Sequence, residues 1–116
     1  MEGVLWVRPN YYDEPLELPI ATDGTRYSNL WGLFDSGCQA QSAWNITMGS
    51  KNVRVGVIDT GIANHSDLSA NLLSGWDFYN DNSITTDDLN SHGTHVAGTI
   101  GSTGASLNGV IGVSPT

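Results

Sequence analysis

The sequence predicts an α/β fold with a mostly parallel sheet and helices on both of its faces. The first observation behind this prediction is Val53–Ile62, a β-branched run that leads directly into an Asp-Thr-Gly turn. Such a run is typical of a buried parallel strand that ends in a functional loop. The second is a helical pattern on either side of the strand along the chain, at Gln39–Trp44 and at His92–Ile100. The strand follows the first of these helices within a few residues, a usual length for an αβ connection.

Composition narrows the class of protein. The 116 residues are in the range of one domain, and 39% are hydrophobic and 14% charged, which is not the charge-rich composition of a disordered chain. The net charge of −8, with four Lys and Arg together, argues against binding to nucleic acid or to an anionic membrane surface. No apolar run of about 18 residues occurs, so no transmembrane helix is predicted. A single cysteine, Cys38, excludes an internal disulfide framework and a CxxC metal site.

The remaining segments are assigned from their periodicity and from the residues that interrupt or cap regular structure. Residues 1–25 read as an acidic arm interrupted by prolines. After the strand, Gly75–Tyr79 is predicted as a short strand and is followed by a polar loop. The helix predicted at His92–Ile100 has Asn90 or Ser91 in position to cap its amino end. Its side chains are mostly small, which costs helix propensity and predicts a close approach of the helix backbone to the sheet.

Two residues of this pattern have the chemistry of a catalytic pair. Asp59 is the last residue of the predicted strand, and His92 begins the predicted helix 33 positions later. Functional groups collect beyond the carboxyl ends of strands in open α/β sheets. There the aspartate can accept the imidazole N–H, hold one tautomer and stabilise the imidazolium. We predict that Asp59 and His92 are catalytic and that they form a general base for a nucleophile.

The segments that carry these two residues, VRVGVIDTGI at 53–62 and SHGTHVAGTIG at 91–101, resemble the Asp and His signatures of the subtilisin-like serine proteases, or subtilases. Four more segments resemble that family in chain order: QSAWNITMGSKNV at 41–53, HSDL at 65–68, GWDF at 75–78 and NGVIGVSP at 108–115. The resemblance implies a subtilisin-like three-layer fold that is incomplete in this chain. It assigns residues 26–116 to the amino-terminal portion of a catalytic domain and residues 1–25 to a propeptide end or linker.

The resemblance also implies an activity, serine endopeptidase, with Asp59 and His92 as the first two members of an Asp-His-Ser triad. The family's Ser, in a G-T-S-M-A context, and its oxyanion-hole Asn have no counterpart in this sequence. We expect both beyond the chain end. We expect the chain alone to be inactive, because loss of the Ser lowers turnover on the order of a millionfold in subtilisin itself. The implied partners are a protein or peptide substrate and the remainder of the catalytic domain. The family and the low Lys content imply secretion.

Metal binding is a competing interpretation of the same residues. His92 and His95 are three positions apart, whereas zinc sites on helices usually use His at i and i+4, so a zinc site is not predicted. No catalytic cofactor is expected. The resemblance allows a structural calcium ion, because Asp67 matches a position that supplies a ligand in several subtilases. Ser106 then stands where an Asn would help to complete the cage.

Two other functions stay open at this point. The chain could belong to a catalytically inactive subtilase fold that acts as a binding or structural module, or it could be an inactive truncated fragment. The presence of both Asp59 and His92 favours the enzyme, since an inactive relative has no chemical need for the two together.

Overall fold

The computed structural model describes residues 27–34, 36–106 and 109–116. In these ranges two 3₁₀ turns, Tyr27–Asn29 and Trp31–Leu33, precede three helices: α1 (Ala40–Trp44), α2 (Ser66–Ser69) and α3 (His92–Gly101). Within the described residues, β pairing is limited to two isolated antiparallel bridges, Asp77 with Asn82 and Thr103 with Ile111. The predicted arm at 1–25 and its boundary with the catalytic portion lie outside the described residues.

Both predicted helices are confirmed. Helix α1 begins at Ala40, one residue later than predicted, because Gln39 has a left-handed backbone (φ 54°). Helix α3 begins at His92 as predicted and continues one residue further, to Gly101, where Ser102 returns to an extended backbone. The position of His92 as the first helical residue matters most for the site, since it places the imidazole at the amino end of α3.

The predicted strand at 53–59 is not formed, and this corrects the sequence-based prediction. Its apolar side chains lie on the surface: Val53 is 71% exposed, Val55 60% and Ile58 103%. A strand requires a neighbour that satisfies its backbone N–H and C=O groups, and the described residues include no segment paired with this one. The predicted strand at Gly75–Tyr79 is also wrong, because only Asp77 pairs there, with Asn82 across a tight turn. The parallel sheet of the predicted α/β fold therefore stays a prediction.

The buried core joins the beginning and the end of the described chain. It consists of Leu33, Ala40, Trp44 and Ile111, with Leu30, Phe34 and Met48 packed against it. The indole Nε1 of Trp44 donates to the Val113 carbonyl at 2.7 Å, so a polar group that is buried with the ring is satisfied.

The carboxyl end of α3 is closed by the segment after it. The backbone N–H of Val113 donates to the Thr99 carbonyl at 3.0 Å, and that of Ser114 donates to the Ile100 carbonyl at 2.8 Å. These bonds satisfy carbonyls that a helix end leaves without intrahelical partners. The approach is close enough that a Cβ at Gly112 would lie 2.6 Å from the Gly101 nitrogen. Helix α3 is thereby held at the end opposite His92.

Candidate active site

The structure brings Asp59 and His92 into direct contact; the two are called the Asp–His pair below. The Nδ1 atom of His92 lies 2.8 Å from Oδ1 and 3.0 Å from Oδ2 of Asp59. A carboxylate oxygen can only accept, so Nδ1 carries the proton and Nε2 is left as the acceptor of a neutral ring. The side chain of Asp59 is 15% exposed and that of His92 is 65% exposed. The imidazole is therefore oriented from behind by the carboxylate and is open to an incoming group in front.

Hydrogen bonds keep the carboxylate of Asp59 ionised. The His92 side chain lowers the pKa of Asp59 below its ordinary value, and the backbone N–H of Thr60 lowers it further by donating to Oδ1 at 2.8 Å. Donors favour the charged form of a carboxyl group because an N–H group is attracted more strongly to a carboxylate than to the neutral acid. An ionised Asp59 is the form that can accept the Nδ1 proton and stabilise a positively charged ring.

Close packing between the Asp59 turn and helix α3 depends on glycine. A Cβ at Gly93 would lie 2.2 Å from the carbonyl oxygen of Gly61 and 3.2 Å from the Cβ of Asp59. Gly61 has φ +117°, a backbone conformation that L side chains rarely adopt. The close approach at Gly93 is therefore to the Asp59 turn, whereas the predicted approach of the helix to the sheet stays a prediction. At Gly98 an added Cβ would meet nothing within 4 Å.

A second acidic residue, Asp88, organises the amino end of α3. It is only 9% exposed. Its Oδ1 accepts from the Ser91 backbone N–H at 2.8 Å, and its Oδ2 accepts from the Thr94 backbone N–H at 2.8 Å. The side-chain hydroxyls of Thr94 and Thr60 also donate to this carboxylate. These donors, the Thr94 hydroxyl first, hold the pKa of Asp88 well below its usual range.

Asp88 therefore replaces the predicted helix cap. Ser91 occupies the N-cap position, but its backbone is left-handed (φ 67°) and its side chain forms no capping hydrogen bond. Neither of the predicted residues, Asn90 and Ser91, supplies the capping oxygen, which comes from further upstream. The only available signal was an acidic residue shortly before a helix, and Asp87 beside it carried the same signal.

The other candidates lie elsewhere. His95 is exposed on α3. Asp67 is fully buried, and its carboxylate accepts from the backbone N–H of Ser106 at 2.9 Å and from its hydroxyl at 2.8 Å. A Cβ at Gly109 would lie 1.7 Å from Oδ2 of Asp67, so the space beside that oxygen is filled by backbone. These contacts do not favour a cation at Asp67.

In the part of the chain that the structure describes, no group of three or more His, Cys, Asp or Glu side chains could hold a metal ion. A structural calcium ion stays a prediction. In the same described ranges no helix is both long and apolar enough to cross a membrane.

An aspartate that accepts the Nδ1 proton of a histidine is the arrangement found in hydrolases that use a Ser-His-Asp triad. Residues 50–116 match the Subtilase family. The chain belongs to this family, and membership implies the α/β subtilisin fold.

Curated relatives show the same likeness over longer stretches. The chain is 34% identical to an extracellular protease of Xanthomonas campestris over 88% of its own length and 22% of that protein. It is 47% identical to an intracellular serine protease of Paenibacillus polymyxa over 66% of the chain and 24% of the relative. Its identity to subtilisin BL of Lederbergia lenta is 45%, over 73% of the chain and 29% of the relative. The chain thus spans about a quarter of the length of these relatives. No solved structure gives a significant match.

Proposed function

We propose that this chain supplies the Asp and His of a subtilisin-like serine endopeptidase. The observation that carries the proposal is the contact between Nδ1 of His92 and the carboxylate of Asp59 at 2.8 Å. The family membership and the protease names of the relatives support it. The substrate is a protein or peptide, and the nucleophilic Ser comes from the remainder of the catalytic domain.

The geometry gives each group a role in peptide-bond hydrolysis. Nε2 of His92 takes the hydroxyl proton of the Ser as its Oγ attacks the scissile carbonyl carbon. Asp59 stabilises the imidazolium that forms, without taking the proton itself. Nε2 then gives the proton to the leaving amine nitrogen as the C–N bond breaks. Water enters in the same way, losing its proton to Nε2 as it attacks the acyl-enzyme, and the Ser recovers its proton when the acid product leaves.

The exposed apolar run supports the part of the proposal that concerns the remainder of the domain. Val53, Val55 and Ile58 together expose an apolar stretch directly before Asp59. In a parallel sheet such a run is covered on both faces and paired on both edges. The remainder of the catalytic domain is the partner that would cover it, and we propose that the chain by itself does not hydrolyse peptides.

Secretion is the proposed location. The Xanthomonas relative is named an extracellular protease, whereas the Paenibacillus relative is named intracellular, so the relatives' names differ on this point. Detection of the parent protein in culture medium rather than in cells tests the proposal directly.

The test of the activity begins with the parent gene. We expect an in-frame extension that carries a G-T-S-M-A segment, and a protein that hydrolyses a casein or peptide substrate. His92→Ala should lower kcat on the order of a millionfold, the magnitude known from subtilisin itself. Asp59→Asn should lower it about ten-thousandfold, the magnitude known for the same change in a chymotrypsin-type triad. His95→Ala, three residues along the same helix and exposed, is the matched control and should keep full activity. A parent without that Ser would refute the endopeptidase and leave an inactive binding module. An Asp59→Asn protein that keeps the full kcat would refute the role of Asp59 in the triad.

A further inference from the structure

Two threonine hydroxyls connect the Asp59 turn to helix α3 in opposite directions. The hydroxyl of Thr60, on the turn, accepts from the backbone N–H of Gly93 on the helix at 3.0 Å. The hydroxyl of Thr94, on the helix, accepts from the backbone N–H of Ala63 beyond the turn at 2.8 Å. Each segment therefore accepts, through one threonine hydroxyl, a hydrogen bond from the backbone of the other. These two contacts are called the threonine bridges below.

Both hydroxyls donate a hydrogen bond to the same carboxylate. Thr60 donates to Oδ1 of Asp88 at 2.7 Å, and Thr94 donates to Oδ2. A hydroxyl has one proton to give, so donation to an anion fixes its rotor and leaves its lone pairs facing the backbone N–H. Asp88 is thus the group that sets the direction of both threonine bridges.

The threonine bridges lie beside Asp59 and His92 in the sequence. Thr60 follows Asp59 in sequence, and Gly93 follows His92. Oδ1 of Asp88 also accepts from the backbone N–H of Ser91, the residue before His92. The nearly buried carboxylate of Asp88 therefore fixes the backbone on both sides of His92 and next to Asp59, either directly or through a threonine hydroxyl.

We propose that Asp88 is the positioning residue of the Asp–His pair and acts through the hydroxyl groups of Thr60 and Thr94. Without it the two threonine rotors are free, and the turn and the helix end can shift by fractions of an ångström. A shift of that size is enough to misalign the contact between Nδ1 and the carboxylate, because hydrogen bonds weaken steeply with angle. Asp88 does not touch the imidazole and takes no proton from it.

The imidazole tautomer of His92 tests this proposal without any need for peptidase activity. In the intact arrangement the proton resides on Nδ1, where Asp59 accepts it. His65 is the internal reference, because its Nδ1 accepts from the Asp67 backbone N–H at 3.2 Å and its neutral ring therefore carries the proton on Nε2. The ¹⁵N shifts of imidazole-labelled protein distinguish the two tautomers at a pH where the rings are neutral.

We expect Asp88→Asn and Thr60→Val each to lose more than about half of the Nδ1–H tautomer of His92, since each removes the link to the Asp59 turn. Thr60→Ser keeps the hydroxyl and should keep the tautomer. Thr99→Val is the matched control, because that hydroxyl also lies on α3 but bonds only to its own helix, at the His95 carbonyl. The His65 signals should stay unchanged in all four proteins.

The indole N–H signal of Trp44, which reports the contact with the Val113 carbonyl, separates positioning from folding. An unchanged tautomer in both Asp88→Asn and Thr60→Val would overturn the proposal. If Asp88→Asn alone loses the Trp44 signal, Thr60→Val decides the outcome. If both lose it, the network is a folding element and the proposal is wrong.

The catalytic consequence rests on the proposed function. In the parent enzyme we expect Asp88→Asn to lower kcat about tenfold with little change in KM, as removal of a transition-state alignment should. An inactive parent would refute the proposed function and leave the tautomer result standing. An active parent whose kcat is unchanged in Asp88→Asn would refute the positioning role.

Discussion

Two neighbouring stretches of the chain, 53–58 and 59–63, differ in how far their groups are satisfied. The first exposes its valines and isoleucine, with Val55 60% and Ile58 103% exposed. The second is bonded at almost every residue: Ile62 donates its backbone N–H to the Thr85 carbonyl at 2.9 Å, and Ala63 donates to the Thr94 hydroxyl at 2.8 Å. The turn is completed by groups within a few tens of residues, whereas the run before it requires strands that the described residues do not provide.

The Asp–His pair is thus organised without strand pairing in the described residues. Its supports are the turn, helix α3 and the loop that carries Asp88. The hydrogen bonds that join them span 28 to 33 residues, and they are made without strand pairing in the part of the chain that the structure describes. In the described residues the pair is therefore assembled without a sheet.

The largest effect is expected from a substitution in the exposed apolar run at 53–58. Val55→Lys should change the free energy of unfolding of this chain by less than about 0.5 kcal/mol, since the site is already exposed. In the complete catalytic domain the same change should cost about 3 to 5 kcal/mol, because an unpaired charge would be buried in the sheet. Urea unfolding of both proteins measures the two values. Thr86→Lys, at an exposed polar position, is the control, and equal costs in chain and domain would show that the run is never covered.

The next largest effect is expected where helix α3 packs against the Asp59 turn. Gly93→Ala should destabilise the chain by about 2 to 3 kcal/mol, because its Cβ would lie 2.2 Å from the Gly61 oxygen and neither backbone can give way without losing its bonds. Gly98→Ala is the matched control on the same helix. Its Cβ meets nothing within 4 Å, so it should stabilise α3 by up to about 1 kcal/mol through helix propensity alone. Urea unfolding followed by circular dichroism at 222 nm compares the two, and a tolerated Gly93→Ala would contradict the close contact.

A pH titration sharpens the picture of the Asp–His pair. The pKa of Asp59 is lowered from its ordinary value of 3.8, chiefly by the His92 side chain. The folded pKa is below the unfolded one, so the contribution of Asp59 to stability is complete above the ordinary value and is lost as the pH falls through the lowered one. The ¹³C carboxyl shift should titrate below 3.8 in the native chain.

His92→Ala should raise that midpoint, because the largest of its causes is removed. The control is Asp77, whose pKa is lowered mainly by the Asn80 backbone N–H and should not respond to His92→Ala. A midpoint of Asp59 that stays in place after His92→Ala would show that the contact is not made in solution.

Sequence reasoning succeeded where the determinants are local. The helical pattern at His92–Ile100 predicted α3 to within one residue, and the placement of Asp59 and His92 anticipated that the two could meet. It failed for the strand, because formation of a strand depends on a partner segment that the run itself cannot reveal. It also missed Asp88, since three aspartates share that polar loop and only the folded arrangement shows which one faces the two threonines.

The smallest expected effect is at Ser91, between Asp88 and His92. Its left-handed backbone (φ 67°) costs an L residue about 1 kcal/mol, and its side chain returns no capping bond. Ser91→Gly removes that cost but gives the unfolded chain more freedom, so the net gain should be about 0.5 kcal/mol. Ser91→Val, whose branched Cβ resists positive φ, should instead destabilise the chain. Urea unfolding measures both. If glycine proves no better than serine, the left-handed turn is held by more than the bond to Asp88. If it stabilises the chain and leaves the His92 tautomer intact, strain at Ser91 contributes nothing to the orientation of the imidazole.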